Sequence, residues 1–559
     1  MTEVASKEPV LDRNRRLTSD EIDALRAYGE TRAHAAGDTV FDEGDVAVDA
    51  CVVLSGQLDV HIFEDGEKRR VGWLEPGQFS GDVSLISGQP SLVSAVMAEA
   101  GELLHIAPAG LQRLLVDNSE LSDAFVTTFL ARRAWARAQG RASVALIGRS
   151  LDQSAFAIRD LLTKFDVPHL WVEADHDPKA KSIVERLGLT LDDTPILVAG
   201  SRAPLVRPSV SDVSERLGLD LLPDGASADV AVVGAGPAGL AASVYAASEG
   251  LSVVTIDAHA PGGQAGTSSK IENYLGFPTG VSGQELAERA RVQAQKFGVR
   301  LAAPVAAVNL AAEDDCYRLE LKDGRALRAR AVVVATGAEY RRLPIDGLEN
   351  YEGRGVYYGA TAMEAQICVG SDVAIVGAGN SAGQGAAFLS RHARNVHLLY
   401  RRPDIRDTMS EYLVRRLEET PNVHFHPETE VNAIRGDGVR IAALETISAG
   451  APGGLDAKFL FLFIGAAPCA DWLPASVARD DKGFLKTGGD LANLELVRAG
   501  WSLDRMPSLY ETAWPRSYAV GDVRAGSVKR VASGVGEGSV VVQIVHRAIA
   551  EMKAAKEEA

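Results

Sequence analysis

A glycine-rich turn between two apolar segments constrains the fold of this chain more than any other feature. The turn reads GAGPAG at residues 234–239, follows the apolar run 230–233, and opens a stretch of small residues at 240–247 that is typical of a helix. A second apolar run, 251–256, ends on Asp257. In such a strand–turn–helix–strand unit the glycines let the backbone approach a pyrophosphate at the helix N-terminus, and the acid binds a ribose hydroxyl. The pattern predicts a parallel-sheet domain that binds a dinucleotide.

A second unit of the same kind begins at residues 377–382, which read GAGNSA. Its second strand ends on Arg401 and Arg402 rather than on an acid, and Arg406 follows shortly after. Guanidinium groups suit a 2′-phosphate, so this unit is predicted to prefer NADPH to NADH. Glycine-rich turns also close ordinary loops, but two complete units with opposite charge at the ribose end favour two nucleotide sites. The residues expected to contact NADPH are Gly377, Gly379, Asn380, Ser381, Arg401, Arg402 and Arg406.

The length and charge of the chain limit its architecture and its partners. A chain of 559 residues is too long for one hydrophobic core, so we expect three or four domains. The formal net charge of −17 disfavours nucleic acid as a partner and an anionic membrane as a docking surface. Residues 1–16 are polar rather than a charged-then-apolar leader, and no apolar run is long enough to span a bilayer.

The four cysteines, Cys51, Cys316, Cys368 and Cys469, lie far apart and form no Cys-x-x-Cys pair. Their spacing argues against a disulfide scaffold or a zinc site, so we expect no metal and a reducing, cytoplasmic environment. Each cysteine is interpreted as a small apolar residue of a core.

Residues 1–140 combine a short amphipathic helix, short strands punctuated by turns, and a closing helical stretch at 121–137. This pattern predicts an all-β barrel or jelly roll with helices. The segment resembles the cyclic-nucleotide-binding domain of catabolite-activator-type regulators and channels, most clearly in the cassette PGQFSGDVSLISGQP at residues 76–90. The resemblance implies a cradle in which backbone amides and an arginine hold the cyclic phosphate while an acid binds the ribose.

One position in this cassette and one directly after it depart from the family. Gly81 is kept, but the acid is shortened to Asp82, and Ser91 stands where the family has its arginine. Without the arginine, the charge-assisted contact that makes phosphate binding tight is lost. We interpret the domain as a degenerate regulatory or dimerisation module for which cyclic nucleotide binding is doubtful; a working sensor is the alternative.

Residues 143–221 alternate strand-like and helix-like segments and place Thr194-Pro195 before a third strand. This order resembles the thioredoxin/glutaredoxin fold, in which the proline is cis and faces the redox pair. Ser150 and Ser154 occupy the stretch where that pair would lie, and no cysteine is present there. Because thiol–disulfide exchange needs a thiolate, we expect a cysteine-less thioredoxin-like domain that serves as a binding or docking surface or is a structural relic.

From residue 229 to the end the chain resembles the low-molecular-weight thioredoxin reductase family. The motifs that carry the resemblance stand in the family's order: GAGPAG, PGGQ at 261–264, IENYLGFP at 271–278, ATG at 335–337, the second glycine unit, and Gly521-Asp522. The resemblance implies an FAD domain built from residues 228–340 and 465–559, with an NADPH domain, 345–463, inserted between them. The residues it assigns to FAD are Gly234, Gly236, Pro237, Ala238, Gly239, Asp257, Gly263, Gln264, Asn273, Thr336, Gly337, Gly521, Asp522, Lys529, Arg530 and Val531.

The resemblance also implies what some of these residues do. Gly263, Gln264 and Asn273 would lie against the flavin and its ribityl chain, and Asp522 would bind ribityl hydroxyls. Where the family has Arg-Gln-Ala beside the flavin, this chain has Lys-Arg-Val at residues 529–531. A positive charge near the ring is therefore kept, and it would stabilise a reduced, anionic flavin.

The family's reducing cysteine pair is missing. Counting back from the second glycine unit, Gly359 and Ala362 stand where the two cysteines would be. Cys368 is nearby, but one thiol cannot form the intramolecular disulfide that accepts two electrons. No catalytic residue is identified from the sequence, and thioredoxin reduction by the family's usual route is expected to be blocked.

Two functions of different classes remain open. The first is an FAD-dependent, NADPH-oxidising reductase that passes electrons from flavin to a small molecule or a protein, as ferredoxin/flavodoxin–NADP reductases of the thioredoxin-reductase-like type do. The second is a flavin- or nicotinamide-dependent redox sensor or scaffold with regulatory N-terminal domains. A thioredoxin-disulfide reductase that works through Cys368 and a second chain's thiol is a remote third. The resemblance implies a homodimer.

Overall fold

The computed structural model describes residues 13–64, 67–138, 143–149, 152–267, 271, 274–352, 355–360, 362–438 and 440–557. The chain divides into two compact units. The larger unit combines Met1–Gly337 with Ala470–Ala559, and the smaller unit is Ala338–Cys469. Each unit is described by itself below.

Within the described residues, the N-terminal part of the larger unit holds two antiparallel sheets and four helices. The sheets have the strand orders β1-β7-β3 and β2-β6-β4-β5. Phe79 stacks on Phe125 with ring centroids 4.2 Å apart, and Phe129 meets both rings edge-on, so the last helix closes one face of this core. The elements are α1 Ser19–Leu25, β1 Glu30–His34, β2 Thr39–Phe41, β3 Ala50–Val53, β4 Gln57–Glu64, β5 Glu67–Leu74, α2 Val83–Ser87, β6 Ser94–Glu99, β7 Gly101–Ile106, α3 Pro108–Asp117 and α4 Ser119–Ala138.

The next part is a four-stranded sheet with the strand order β11-β10-β8-β9, covered by helices on both faces. Side chains alternate along a strand, so Leu146 packs with α5 and α7 while Ile147 packs with α6 on the other face. The peptide bond between Thr194 and Pro195 is cis. The elements are β8 Val144–Gly148, α5 Gln153–Lys164, β9 His169–Glu173, α6 Pro178–Arg186, β10 Ile196–Ala199, β11 Leu205–Val206 and α7 Val210–Arg216.

The larger unit continues with a six-stranded sheet of order β14-β13-β12-β17-β16-β15, in which β12, β13, β14 and β17 are parallel. Strands β12, β13 and β17 contain buried runs rich in valine and alanine, as expected of a sheet covered on both faces. Val292 of α9 also joins the apolar core of the N-terminal part, so α9 links the two. The elements are β12 Ala226–Val233, α8 Pro237–Ser248, β13 Val253–Ile256, α9 Gly283–Lys296, β14 Arg300–Ala302, β15 Ala307–Ala312, β16 Tyr317–Leu321 and β17 Ala326–Val334.

The smaller unit is built around a parallel sheet of order β19-β26-β20-β21-β22, with an antiparallel sheet β23-β24-β25 and the pair β18-β27. Small residues on α11 let that helix pack closely: a Cβ added at Gly385 would lie 2.8 Å from the ring of Phe463. The elements are β18 Ala338–Tyr340, β19 Val356–Tyr357, α10 Ala362–Ile367, β20 Asp372–Val376, α11 Asn380–Leu389, β21 Asn395–Leu399, α12 Glu411–Glu418, β22 Val423–His426, β23 Thr429–Gly436, β24 Ile441–Ser448, β25 Ala451–Leu455, β26 Phe459–Leu462 and β27 Ala466–Pro468.

The chain then returns to the larger unit with α13 Asn493–Ala499, β28 Ser517–Ala519 and α14 Val531–Glu557. Strand β28 adds to the six-stranded sheet beside β17, in parallel. Helix α14 packs along α8, where a Cβ at Gly538 would lie 2.2 Å from the carbonyl oxygen of Ala238. This close crossing brings the C-terminal segment to the N-terminal end of α8.

Candidate functional site

The first glycine turn is shaped by contacts that exclude side chains. Gly234 has a φ of +108°, and a Cβ there would lie 2.3 Å from the carbonyl oxygen of Ala335. A Cβ at Gly239 would lie 1.8 Å from the carbonyl oxygen of Gly234. The strand β12 therefore passes into α8 through a turn that only glycine allows.

The N-terminus of α8 is open to an anion. Its N-cap is Gly236, Pro237 occupies the first turn, and no side chain caps the helix. The first amides of an α-helix have no partner within the helix, and together with the helix dipole they attract a phosphate group. This arrangement fits a pyrophosphate.

Other residues assigned to FAD converge on this turn. A Cβ at Gly263 would lie 3.1 Å from the Cα of Gly236, and one at Gly521 would lie 2.9 Å from the Cβ of Ala238. The loop of Gly263 is joined to the glycine turn by the amide of Gly262, which donates to the carbonyl oxygen of Ala235 at 2.8 Å. Gly263 and Gln264 are exposed, and Thr336 and Gly337 are half-buried just after β17. Asn273 lies outside the described residues.

Asp257 holds the glycine turn in place. One carboxylate oxygen accepts the amide of Ala235 at 2.7 Å, and the other accepts the amides of His259 and Ala260 at 2.9 and 3.1 Å. Burial raises the pKa of this carboxyl, and the three amides oppose that effect. The sequence analysis expected Asp257 at a ribose hydroxyl. The structure adds a role that it missed, since Asp257 fixes the turn with one carboxylate oxygen and its own loop with the other.

Asp522 has a carboxylate available for a ligand. It follows Gly521 in a short helical turn after β28 and is half-buried. Among the described residues, its side chain accepts no hydrogen bond, and burial raises its pKa while the nearby ammonium of Lys529 lowers it. A half-buried carboxylate without a donor fits hydroxyl groups supplied by a ligand.

Residues 529–531, which lead into α14, include the positive charges expected near the flavin ring. The ammonium of Lys529 donates to the backbone oxygen of Asp522 at 3.0 Å and lies 4.5 Å from the ring centroid of Phe484. Burial lowers its pKa. Arg530 is exposed, and Val531 is half-buried as the first residue of α14. Lys529 is thus tied to the Asp522 turn.

Glu537 and Arg524 belong to this site although the sequence analysis missed them. The buried carboxylate of Glu537 accepts the amide of Gly521 at 2.6 Å and pairs with Arg524 at 2.6 Å. One signal was present in the sequence: Glu537 is an acid between two glycines, Gly536 and Gly538, in an otherwise uncharged helix start. A charge in such a packed position needs a partner.

The second glycine turn repeats the design in the smaller unit. Gly377 has a φ of +147°, and a Cβ there would lie 2.5 Å from the carbonyl oxygen of Phe463. Gly379 is the N-cap of α11, and no side chain caps this helix either. The side chain of Asn380 accepts the amide of Ser410 at 2.8 Å, and Ser381 is exposed. The open helix end again fits a pyrophosphate.

The three arginines after β21 are not equivalent. Arg401 is exposed and forms no ion pair with any residue that the structure describes. Arg402 lies 3.7 Å from the carboxylate of Asp407. Arg406 is drawn into α12, where its guanidinium contacts Glu418 at 2.7 Å and Glu411 at 3.3 Å. The guanidinium of Arg406, unlike that of Arg401, is thus engaged by two carboxylates of α12.

The four cysteines do not supply the reactive thiol that disulfide chemistry needs. All four cysteines are free. Cys368 is fully buried beside α10, and burial raises the pKa of its thiol to about 12. Gly359 lies in a loop where an added Cβ would meet nothing within 4 Å, and Ala362 begins α10. Cys368 therefore packs as an apolar residue, and a thiol with so high a pKa is a poor nucleophile.

The cassette of the N-terminal part is occupied by the chain's own side chains. Arg133 of α4 pairs with Asp82 at 2.6 Å, and Arg132 donates to the carbonyl oxygen of Gly81 at 2.8 Å. Ser91 is buried, and its hydroxyl donates to the carbonyl oxygen of Val93 at 2.7 Å. The acid expected at a ribose is thus bound by an arginine that the sequence analysis did not single out.

In the second part of the chain, Ser150 lies outside the described residues and Ser154 is exposed near the start of α5. Within the described part of the chain, no group of three or more histidine, cysteine or acidic side chains could hold a metal ion. No described helix is both long enough and apolar enough to cross a membrane.

Comparisons with known proteins show which families the chain resembles. Residues 228–551, more than half of the chain, match the family model "Pyridine nucleotide-disulphide oxidoreductase", and residues 31–118 match "Cyclic nucleotide-binding domain". Thioredoxin reductase of Mycolicibacterium smegmatis is 34% identical over 275 residues, which cover 47% of this chain and 83% of the relative. Thioredoxin reductase of Listeria innocua is 27% identical over 331 residues, 59% of this chain and 96% of the relative.

A solved structure of thioredoxin reductase from Streptococcus pyogenes MGAS5005 is 28% identical and covers 58% of this chain and 99% of its own, with a TM-score of 0.48. The matches confirm the β-rich N-terminal domain and the thioredoxin-reductase-like module. Residues 143–221 fall outside both matched ranges. The chain belongs to the pyridine nucleotide-disulphide oxidoreductase family, with a cyclic nucleotide-binding domain ahead of the family's module.

Proposed function

We propose that this chain is an FAD-dependent oxidoreductase that takes electrons from NADPH and passes them from flavin to an acceptor other than an internal disulfide. The observation that carries the proposal is the pair of uncapped helix N-termini, at Gly236 and Gly379, each behind a side-chain-free glycine turn. FAD and NADPH are the cofactors of this thioredoxin-reductase-like module.

The residues around Gly236 fit FAD. Gly234 and Gly239 let the turn pack tightly against backbone carbonyl groups, and the amides at the uncapped N-terminus of α8 suit a pyrophosphate. The donor-free carboxylate of Asp522 suits ribityl hydroxyls. Lys529 lies beside that carboxylate and supplies positive charge to the same edge of the site.

The residues around Gly379 fit NADPH. The open end of α11 suits the pyrophosphate, and the exposed Arg401 and Arg402 suit a 2′-phosphate because a guanidinium can make two parallel hydrogen bonds to it. Arg406 would contribute less, since Glu418 and Glu411 already neutralise it.

The bound flavin would supply the two-electron chemistry, accepting hydride equivalents from NADPH and releasing electrons to the acceptor. The chain's own residues bind and orient the two cofactors, which needs no general acid or base from the protein. A disulfide store is not part of the proposal, because Cys368 is buried with a raised thiol pKa and Gly359 carries no thiol.

We propose a small molecule, such as a quinone-like compound, or a docked protein as the acceptor, and a homodimer in a reducing cytoplasm as the working form. The strand order β9-β8-β10-β11 with helices on both faces supports a thioredoxin-like domain as the docking surface. A second candidate is a redox sensor or scaffold. The pairing of Arg133 with Asp82 favours the scaffold, because the cassette then serves packing in place of ligand binding.

The deciding experiment is an anaerobic titration of the purified yellow protein with NADPH and, separately, with NADH, followed by flavin absorbance in a stopped-flow instrument. Fast bleaching complete at about one equivalent of NADPH per flavin is expected for a reductase without a disulfide store. Consumption of a second equivalent would reveal a redox-active thiol pair. Absence of bleaching with either nucleotide would contradict the reductase and support the sensor.

A further inference from the structure

A buried carboxylate lies beneath the turn that presents Asp522. Glu537, in the second turn of α14, is 8% exposed. One of its oxygens accepts the amide of Gly521 at 2.6 Å, and the other accepts the hydroxyl of Ser527 at 3.0 Å. Glu537 therefore holds both ends of the segment that contains Asp522.

Arg524 compensates the charge of this carboxylate. Its guanidinium contacts one oxygen of Glu537 at 2.6 Å and the other at 3.2 Å, a two-point pairing. It also donates to the carbonyl oxygen of Ala525 at 2.9 Å and lies 5.4 Å from the ring centroid of Tyr510. A buried carboxylate is stable only when it is paired and hydrogen-bonded in this way.

The turn has little freedom to move. Gly521 has a φ of +73°, and a Cβ there would lie 2.9 Å from the Cβ of Ala238 at the start of α8. Gly538 follows Glu537 and lets α14 approach the backbone of Ala238. Glu537 thus reaches the turn from the point where α14 crosses the N-terminal end of α8, which is the proposed pyrophosphate site.

We propose that Glu537, with Arg524, is a positioning residue for FAD: by binding the amide of Gly521 it directs the carboxylate of Asp522 toward the ribityl hydroxyls. This inference rests on the proposed function, because it assumes that FAD occupies the turn. Glu537 itself is buried and acts through Asp522. A purely structural ion pair is the competing explanation, and it predicts that Glu537 and Asp522 contribute independently.

The dissociation constant of FAD separates the two explanations. Apoprotein of the full chain is titrated with FAD, and quenching of flavin fluorescence is measured for wild type, Glu537→Gln, Asp522→Asn and the double variant. Because hydrogen bonds to charged groups are the strong ones, Glu537→Gln is expected to weaken binding about tenfold and Asp522→Asn by a similar factor. If Glu537 acts through Asp522, the double variant binds about as weakly as Asp522→Asn alone.

Glu495→Gln is the matched control. Glu495 is a half-buried carboxylate of the same unit that likewise accepts a backbone amide, from Ala492 at 2.8 Å, and pairs with Lys486 at 2.9 Å. It is expected to leave the dissociation constant within about twofold of wild type. Arg524→Lys keeps the charge but not the two-point pairing with Glu537, so it is expected to weaken FAD binding less than Glu537→Gln does. Combined with Asp522→Asn, it should bind FAD about as weakly as Asp522→Asn alone.

Three results would overturn the inference. If the losses of FAD affinity in the two single variants multiply in the double variant, Glu537 acts independently of Asp522 and its role is structural. If Glu537→Gln and Arg524→Lys both bind FAD as tightly as Glu495→Gln does, neither Glu537 nor Arg524 has a role in FAD binding. If Glu537→Gln fails to fold, the dissociation constant of Arg524→Lys decides between the two explanations. Failure of the wild-type apoprotein to bind FAD would overturn the proposed function and this inference with it.

Discussion

The guanidinium of Arg133 lies 2.6 Å from the carboxylate of Asp82, across the start of α2. Arg133 is 2% exposed and also donates to the backbone oxygen of Asp166 at 2.9 Å. The pair lowers the pKa of the Asp82 carboxyl and raises that of Arg133. Arg137 adds an ion pair to the side chain of Asp166. Arg133 therefore joins the cassette, through Asp82, to the four-stranded domain that follows it, through Asp166.

Replacing Arg133 with methionine is expected to destabilise the chain strongly, because the substitution leaves the Asp82 carboxylate without its partner. Removal of one member of a buried pair costs about 3–5 kcal/mol. Chemical denaturation of the full-length protein, followed by circular dichroism, measures the loss. The double variant Arg133→Met/Asp82→Asn should recover part of it, since no charge is then stranded. A single variant with the same free energy of unfolding as wild type would show that the pair does not stabilise the fold.

Cyclic AMP is expected not to bind. Asp82 is held by Arg133, and Ser91 offers no positive charge to a phosphate. Titration calorimetry and melting curves with millimolar cyclic AMP should therefore match those without it. Ser91→Arg is not expected to restore binding, because Ser91 is buried and its amide and carbonyl groups bond to the loop of Gly44 and Asp45. A melting temperature that rises with cyclic AMP in the wild type would contradict this.

The local parts of the site could be predicted from the sequence, and the long-range parts could not. The glycine turns at Gly234 and Gly377 follow from backbone sterics that a short motif records, and the helix expected at 240–247 lies within Pro237–Ser248. The sequence shows that Arg406 has a guanidinium that can bind a phosphate. It does not show that Glu411 and Glu418 of α12 lie against that guanidinium.

Arg133 and Glu537 show why such partners escape a reading of the sequence. Each pairs with an acid or a base on a different element, Asp82 and Arg524, at a separation that no periodicity encodes. Charged residues on helices are usually solvated, so nothing local marks Arg133 as buried, and the glycines on either side of Glu537 are the one local signal of its packing. Only the packing of α4 on α2 and of α14 on the Gly521 turn reveals them.

The stability of the larger unit is expected to fall as pH rises from about 5 to about 7, because of Glu43. This half-buried carboxyl packs against Gly200 between the first two domains, and burial raises its pKa from 4.5 to about 7, although Ser143 and Arg202 oppose the shift. A group whose pKa is raised on folding stabilises the fold below its unfolded value, and that stabilisation is lost as pH rises to the folded value.

Melting temperatures between pH 4.5 and 8 test this expectation. Glu43→Gln, which mimics the protonated form, should flatten the decline between about pH 5 and 7. Asp45→Asn in the same loop is the control, because its carboxylate is exposed. An unchanged pH profile in Glu43→Gln would assign the decline to other groups.

Preference for NADPH over NADH is expected to depend on Arg401 and Arg402 more than on Arg406. The double variant Arg401→Gln/Arg402→Gln removes both cations at the end of β21 that α12 does not engage, so the KM for NADPH should rise about 10- to 100-fold, the range for lost charge-assisted hydrogen bonds. The KM for NADH should stay within about twofold, since NADH carries no 2′-phosphate.

Arg406→Gln is the internal comparison. The guanidinium of Arg406 already contacts Glu418 at 2.7 Å, so its removal should change the KM for NADPH less than the double variant does. Steady-state flavin reduction assays with both nucleotides measure these values. If Arg406→Gln proved the more damaging substitution, the phosphate would have to displace Glu418, and the ion pairs of α12 would be a feature of the nucleotide-free state alone.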